Sequence, residues 1–269
     1  MIKKKSLGQN FLHEPKVIGD IVAAAEVKKG DVVLEVGPGE GILTEGLLQT
    51  GAKVMSVEKD DRLISVLEEK FKKEIASGQF ELIHADILDF KLPAHFKKYK
   101  VIANIPYYIT GQIIRMFLES ENQPESMTLL VQKEVAERII ARDAKESLLS
   151  LSVKVFGEPK YVRTVGRGAF SPQPNVDSAV LHISDISKNK LASKNGSLDE
   201  KFFFKIIHAG FAHKRKQLLP NLSELFTKEI LTETFEACKI DTKARAEDIP
   251  LGKWIELCSV LANHSRLVI

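Results

Sequence analysis

A chain of 269 residues, 44% of them hydrophobic, is long enough to bury a substantial core and fits one domain of ordinary size with a smaller one beside it. No apolar run approaches the roughly 20 residues a membrane span needs, and no apolar stretch comes after the N-terminal MIKKKSLGQNF, so neither a membrane protein nor an exported one is expected. The net charge of +3 announces no partner by itself, and Cys238 and Cys258, with no CxxC pair or histidine cluster, suggest neither a metal site nor a disulfide framework; a cytoplasmic location is expected.

From residue 30 onward, short apolar runs alternate with stretches of helical period, the pattern of βα units around a parallel sheet. DVVLEVG (31–37) reads as a buried strand ending in glycine. GILTEGLLQTG (41–51) sets Ile42, Leu43, Leu47 and Leu48 on one helical stripe closed by Gly51. A second strand is predicted over 52–58. A long helix is predicted over 61–78, with Leu63, Ile64, Leu67, Phe71 and Ile75 on its inner face and Glu68/Lys72 and Glu69/Lys73 pairs outside. Further strands are expected at 80–86, 100–106 and 127–132, with helices at about 111–119 and after 132, which together predict a doubly wound α/β sheet. Residues 159–166 and 176–184 flank the turn AFSPQPN and are expected to add an antiparallel edge pair.

The polar stretch SDISKNKLASKNGSLDE (184–200) lacks periodicity and marks a domain boundary. The remainder of the chain reads as helices of a small bundle: 201–222, 227–237 and 250–264. Residues 1–184 balance 25 Lys+Arg against 25 Asp+Glu, whereas residues 185–269 carry 14 against 11, so the basic surplus is C-terminal. Basic runs occur at Lys3, Lys4, Lys5, at Lys97, Lys98, Lys100, and at Lys214, Arg215, Lys216. Each is either a solvated face or a phosphate contact.

The segment Glu35-Val-Gly-Pro-Gly-Glu-Gly41 spans a strand-to-helix junction, with Gly37, Gly39 and Gly41 two apart. Glycines there let the backbone approach a nucleotide-like ligand. Glu35 and Glu40 disfavour a pyrophosphate at the helix N-terminus and suit a cationic ligand such as S-adenosylmethionine, which carries a sulfonium and an ammonium. Glu58, at the end of the second strand, is placed to accept both ribose hydroxyls. Asp86 ends the third strand, where it either accepts from the ligand's adenine amine, with Ile87 beside the ring, or caps a helix.

Asn104-Ile105-Pro106-Tyr107 falls at the carboxyl end of the fourth strand, the reactive edge of open α/β sheets. The Asn104 side-chain oxygen, together with a main-chain carbonyl turned outward before Pro106, can accept both hydrogens of an aromatic amine and favour its pyramidal, nucleophilic form. Tyr107 offers an extruded base an aromatic face, a contact worth about 1–3 kcal/mol. A strand end leading into a proline turn and a packed tyrosine is the plain structural alternative.

Taken together, Gln9-Asn10-Phe11-Leu12, EVGPGEG, Glu58, HADIL, NIPYYI, AFSPQPNVDSAV and FAHKRKQLLPNL resemble the small-subunit ribosomal RNA adenine N6,N6-dimethyltransferases, nearly end to end. The resemblance implies a Rossmann-like class I methyltransferase sheet domain over 1–184 and a smaller all-α, RNA-binding domain over 185–269. It also implies a monomeric enzyme that uses S-adenosylmethionine to dimethylate two adjacent adenines near the 3′ end of small-subunit ribosomal RNA, within a pre-assembled subunit. Asn10 and Leu12 would line the donor's methionine end, Gly37 and its neighbours Glu35 and Gly39 the loop, and Asn104 and Tyr107 would hold the target base, with Asn104 also meeting the donor. Phe170 matches the aromatic thought to complete a base sandwich, though by residue type alone a phenylalanine beside two prolines is more often core, and Lys214, Arg215 and Lys216 match the RNA-gripping segment. NIPY stands where NLPY is usual, a volume-conserving change. Three other readings share features with this one: a large-subunit adenine methyltransferase of the antibiotic-resistance type, a non-catalytic RNA-binding assembly factor, and a nicotinamide oxidoreductase. Intact NIPY, Glu58 and Asp86 argue against the second, and the absence of GxGxxG argues against the third.

Overall fold

A computed structural model describes residues 10–93, 96–193 and 196–265. The chain forms two compact units, one of Met1–Ala136 with Glu158–Ile186 and one of Glu137–Gly157 with Ser187–Ile269. The boundary read at 184/185 lies close to the last of three crossings, but residues 137–157 belong to the helical unit and not to the sheet. Their apolar side chains explain the difference, because Leu151 and Val153 are buried and Phe156 stacks on Phe204 with ring centroids 6.0 Å apart. The first crossing, at 136/137, falls inside a helix and carries no polar, glycine-rich marker, so composition alone is silent about it.

The sheet unit is built on seven strands: β1 (Val32–Val36), β2 (Lys53–Glu58), β3 (Phe80–His84), β4 (Tyr99–Asn104), β5 (Ser126–Gln132), β6 (Glu158–Val165) and β7 (Ser178–Ser184). Their order is β3-β2-β1-β4-β5-β7-β6. The first five run parallel, and β7 and β6 close one edge antiparallel, as the β-rich segments around AFSPQPN predict. β1, β4 and β5 are nearly continuous apolar runs because helices cover both faces of a parallel sheet.

Helices α1 (Pro15–Ala24), α2 (Ile42–Gln49), α3 (Asp61–Lys70) and α4 (Thr110–Leu118) belong to this unit. α1 starts at a proline and buries Val17, Ile18 and Ile21. The Asp60 side chain caps α3 by accepting from the Arg62 N–H. The helix predicted over 61–78 breaks at Phe71, with a further turn at Lys72–Ala76. Phe71 leaves helical geometry to pack edge-on against Phe80 at 5.1 Å, and Ile75 is consequently exposed instead of inside. The proposed Glu–Lys pairs straddle this break, and among the described residues neither forms an ion pair.

Helix α5 (Lys133–Ile140) carries the chain from the sheet unit into the helical unit, which then contains α6 (Leu148–Lys154), α7 (Glu200–Gly210), α8 (Leu218–Leu222), α9 (Lys228–Ala237) and α10 (Leu251–Ser265). Trp254 is its fully buried centre, stacked on Phe211 at 5.9 Å. Gly210 abuts the indole so closely that an added Cβ would lie 2.4 Å from it. The run predicted as one helix over 201–222 is interrupted between Gly210 and Leu218, so Lys214, Arg215 and Lys216 sit on a loop. Cys238 and Cys258 are buried free thiols. Among the described residues no helix is long and apolar enough to cross a membrane, and no cluster of metal-ligating side chains is present.

Candidate active site

Strand register builds the site. Val36 of β1 lies level with Val57 of β2 and with Ala103 of β4, so Gly37, Glu58 and Asn104 emerge side by side at the carboxyl ends of three neighbouring strands. The strand order reverses direction at β1 and β4, which opens a crevice there.

A recess at that crevice is lined by Asn10, Phe11, Leu12, Gly37, Pro38, Gly39, Glu40, Ile42, Leu43, Glu58, Asn104, Ile105 and Pro106. Six of the nine expected donor-binding residues line it: Asn10, Leu12, Gly37, Gly39, Glu58 and Asn104. The chain reaches it from its N-terminal side because Phe11 and Leu12 pair with Ser171 and Phe170.

The glycine loop holds its shape through backbone conformation. Gly37, Gly39 and Gly41 have φ of 70°, 61° and 76°, values that side-chain-bearing residues rarely adopt. A Cβ on Gly41 would lie 2.5 Å from the Phe71 ring, and one on Gly39 would lie 3.0 Å from the Phe11 ring. Lys70 of α3 fastens the end of the loop by donating to the carbonyls of Glu40 and Gly41, both at 3.2 Å.

Glu58 is buried, with one oxygen accepting from the Gly39 N–H at 3.2 Å and the other from the Asp60 N–H at 2.8 Å. Its carboxyl is raised above the usual range by burial, partly offset by these backbone donors. The carboxylate is thus aimed by its own loop and keeps lone pairs turned toward the recess.

Glu35 does not line the recess. Its Oε2 accepts from Thr44 Oγ at 2.7 Å and Ser56 Oγ at 2.6 Å inside the protein, tying β1 to α2 and β2, while Oε1 is buried without a hydrogen-bond partner. Burial pushes its pKa up to about 7, against the lowering effect of the two hydroxyls. The expected donor contact is therefore corrected to a staple beneath the loop; a strand-terminal carboxylate looks the same in sequence whichever way it turns.

Asp86 and Ile87 also stand outside the recess lining. One Asp86 oxygen takes Lys59 Nζ at 2.5 Å and the other accepts from the Leu88 N–H at 3.1 Å, with the lysine holding the carboxyl below its ordinary value. No helix directly follows Asp86, so its bond to the Leu88 N–H closes a turn and does not cap a helix. Ile87 is buried and faces a neighbouring hollow with Phe90 and Phe117.

Asn104 donates Nδ2 to the Asn10 carbonyl at 3.2 Å, which fixes the amide so that Oδ1 is the remaining acceptor. Ile105 and Pro106 continue the recess wall. Tyr107 is half-buried, its hydroxyl 2.6 Å from Ser178 Oγ on β7, and burial raises its pKa. Phe170 is a correction: it is 3% exposed, pairs through its backbone with Leu12 and packs in the main core. A ring so enclosed has no face for a base. Sequence reading missed Phe11, whose only local signal is the aromatic in QNFL, and Tyr108, which is 69% exposed beside Tyr107.

The model of the ribosomal RNA adenine dimethylase family matches residues 2–263. The chain belongs to this family. Ribosomal RNA small subunit methyltransferase A of Dehalococcoides mccartyi is 42% identical over 266 residues, covering 97% of this chain and 89% of the relative. The protein of the same name from Ligilactobacillus salivarius is 40% identical over 274 residues, covering 97% and 90%. Among solved structures, a dimethyladenosine transferase from Plasmodium falciparum superposes with a TM-score of 0.79 at 25% identity, covering 96% of this chain and 98% of that one. The 23S ribosomal RNA methyltransferase ErmE gives 0.77 at 26%, covering 94% and 100%. This adenine dimethylase is an enzyme that acts on ribosomal RNA, and S-adenosylmethionine is its methyl donor.

The recess fits that donor. Its loop glycines bring backbone close, its walls are apolar at Phe11, Leu12, Ile42 and Leu43, and its charged side chains, Glu40 and Glu58, are both acidic. A cationic nucleoside suits such a lining and a pyrophosphate does not.

Proposed function

We propose that this chain dimethylates N6 of two adjacent adenines near the 3′ end of small-subunit ribosomal RNA, acting as a cytoplasmic monomer on a pre-assembled subunit. One observation carries the mechanism: an asparagine amide anchored by its nitrogen, with its oxygen free to accept, at the edge of a recess bounded by the glycine loop and Glu58.

The assignments rest on what each group can do. Glu58 accepts both ribose hydroxyls of the donor, Gly37 and Gly39 present backbone to it, Asn10 and Leu12 line its methionine end, and Asp86 and Ile87 meet its adenine once Lys59 shares its hold on Asp86. When bound, the donor supplies an electrophilic methyl on a sulfonium. Asn104 Oδ1 and the Ile105 carbonyl accept the two N6 hydrogens of the target adenine, withdrawing the nitrogen lone pair from the ring. Tyr107, held by Ser178, gives the extruded base a face to stack on. Positioning and electrostatics suffice, with no strong general base. Lys214, Arg215 and Lys216 have no ion-pair partners among the described residues, which leaves their charges available for the phosphate contacts assigned to them here. Lys100, by contrast, is spent on Asp31 and on the carbonyls of Ala25 and Glu26. Lys3, Lys4 and Lys5 lie outside the described residues.

The similar fold scores of the Plasmodium transferase and ErmE do not choose between subunits. The 42% identity to small subunit methyltransferases favours the smaller one. Incubating the protein and labelled donor with small subunits, large subunits and each deproteinised RNA, with nucleoside mass spectrometry as the readout, tests this. N6,N6-dimethyladenosine only from small subunits is expected; modification confined to large-subunit RNA would overturn the assignment.

A further inference from the structure

Tyr108 is the most exposed of the large apolar side chains among the described residues, at 69%, against 37–41% for Val66, Ile75 and Val176. It stands on a rigid turn. Tyr107 before it is tethered to Ser178, the Ile109 N–H donates to the Pro106 carbonyl at 3.2 Å, and Thr110 after it is buried at the start of α4. No hydrogen bond among the described residues engages the Tyr108 hydroxyl. An aromatic ring held out in water on a fixed pedestal contributes nothing to this unit's core.

Its position supplies a use. Tyr108 is four residues past Asn104, at the edge where the target adenine is drawn in, and next to the tyrosine assigned to that base. Extruding one adenine leaves the neighbouring base without its stacking partner, at a cost of a few kcal/mol. An exposed ring at the mouth restores a face to that base, and base–aromatic stacking tolerates any sequence.

We propose that Tyr108 is a stacking platform for the nucleotide next to the target adenine, holding the unpaired strand while its neighbour occupies the Asn104 site. This rests on the adenine dimethylation reading above, because it presumes a base extruded at Asn104.

The test uses the full chain and small subunits whose RNA carries 2-aminopurine, which is quenched on stacking, in place of one of the two adjacent adenines. Wild-type protein and Tyr108→Phe are expected to keep the probe quenched when the other adenine is extruded. Tyr108→Ala is expected to unquench it and to raise the KM for RNA roughly tenfold, the size of one lost stack, with kcat and donor affinity unchanged. Wild-type quenching and KM in the alanine variant overturn the platform, as does a phenylalanine variant as defective as alanine. If wild-type protein methylates no adenine in these small subunits or in unsubstituted ones, the dimethylation reading falls as well; if it methylates normally and Tyr108→Ala matches it, the platform alone falls.

Discussion

The Asn104 side-chain nitrogen lies 3.2 Å from the carbonyl oxygen of Asn10, joining the end of β4 to a segment that precedes the first helix. This contact turns an otherwise rotatable amide into a directed acceptor. It also ties the amide to the N-terminal segment that lines the recess, so on the proposed assignment ordering of that segment around the donor would help to set the acceptor oxygen.

Glu58→Ala removes the proposed ribose acceptors and leaves the Gly39 and Asp60 N–H groups without their carboxylate. Donor affinity is expected to fall at least tenfold by calorimetry, and unfolding free energy by about 1–3 kcal/mol for the orphaned donors. Unchanged affinity with reduced stability would reduce Glu58 to a loop brace. Because its pKa is raised, donor binding in the wild type should weaken as pH falls and the carboxylate gains a proton.

Glu35 makes stability depend on pH in a direction opposite to that of a salt-bridged carboxylate. Its pKa is about 7 folded against 4.5 ordinarily, so the native state holds a proton that the unfolded chain has released. Stability should therefore decline as pH rises from about 4.5 to about 7, by roughly 3 kcal/mol from this group, and then level off. Urea unfolding across that range should show the slope in wild type and a flatter profile in Glu35→Gln. A slope unaltered by the substitution would mean the carboxyl is already ionised at low pH.

Neutralising Lys214, Arg215 and Lys216 together should weaken RNA binding and reduce the slope of log affinity against log salt by about two to three, one counterion per lost phosphate contact. Filter binding over a salt series reads this directly. The loop's shape should survive, because Asn221 holds it by donating to the Gly210 carbonyl at 2.6 Å and the His213 carbonyl at 3.3 Å. An unchanged slope would assign the three to a solvated face.

Tyr107→Ala should slow methyl transfer about tenfold or more through loss of one stacked face, with donor affinity nearly intact. Tyr107→Phe keeps the ring but loses the Ser178 hydrogen bond, worth about 0.5–1.5 kcal/mol, and should fall between the two. Wild-type single-turnover rates in the alanine variant would remove Tyr107 from the base site.

The parallel strands were legible in sequence because β1, β4 and β5 are nearly continuous apolar runs, and β1 and β4 run into residues, Gly37 and Asn104, that break the pattern. The site was legible at the same points, since a strand terminus in a doubly wound sheet is where ligands gather. Side-chain direction was not. Glu35 and Glu58 both end or nearly end strands, yet the first turns toward Thr44 and Ser56 and the second toward the loop, a difference set by tertiary neighbours. For Phe170 the residue type pointed to the core and the resemblance to the base, and its pairing opposite Leu12 places it in the core. The breaks at Phe71 and after Gly210 escaped periodicity because the apolar spacing runs on through them while the backbone yields to packing against Phe80 and Trp254.

Whether Asn104 Oδ1 activates the adenine amine is decided by single-turnover methyl transfer from Asn104→Ala to small subunits, measured alongside calorimetric donor affinity. Loss of one preorganised acceptor should slow transfer by about two to three orders of magnitude while donor affinity changes less than about tenfold. A variant that transfers methyl groups at the wild-type rate would leave Asn104 with no part in the chemistry.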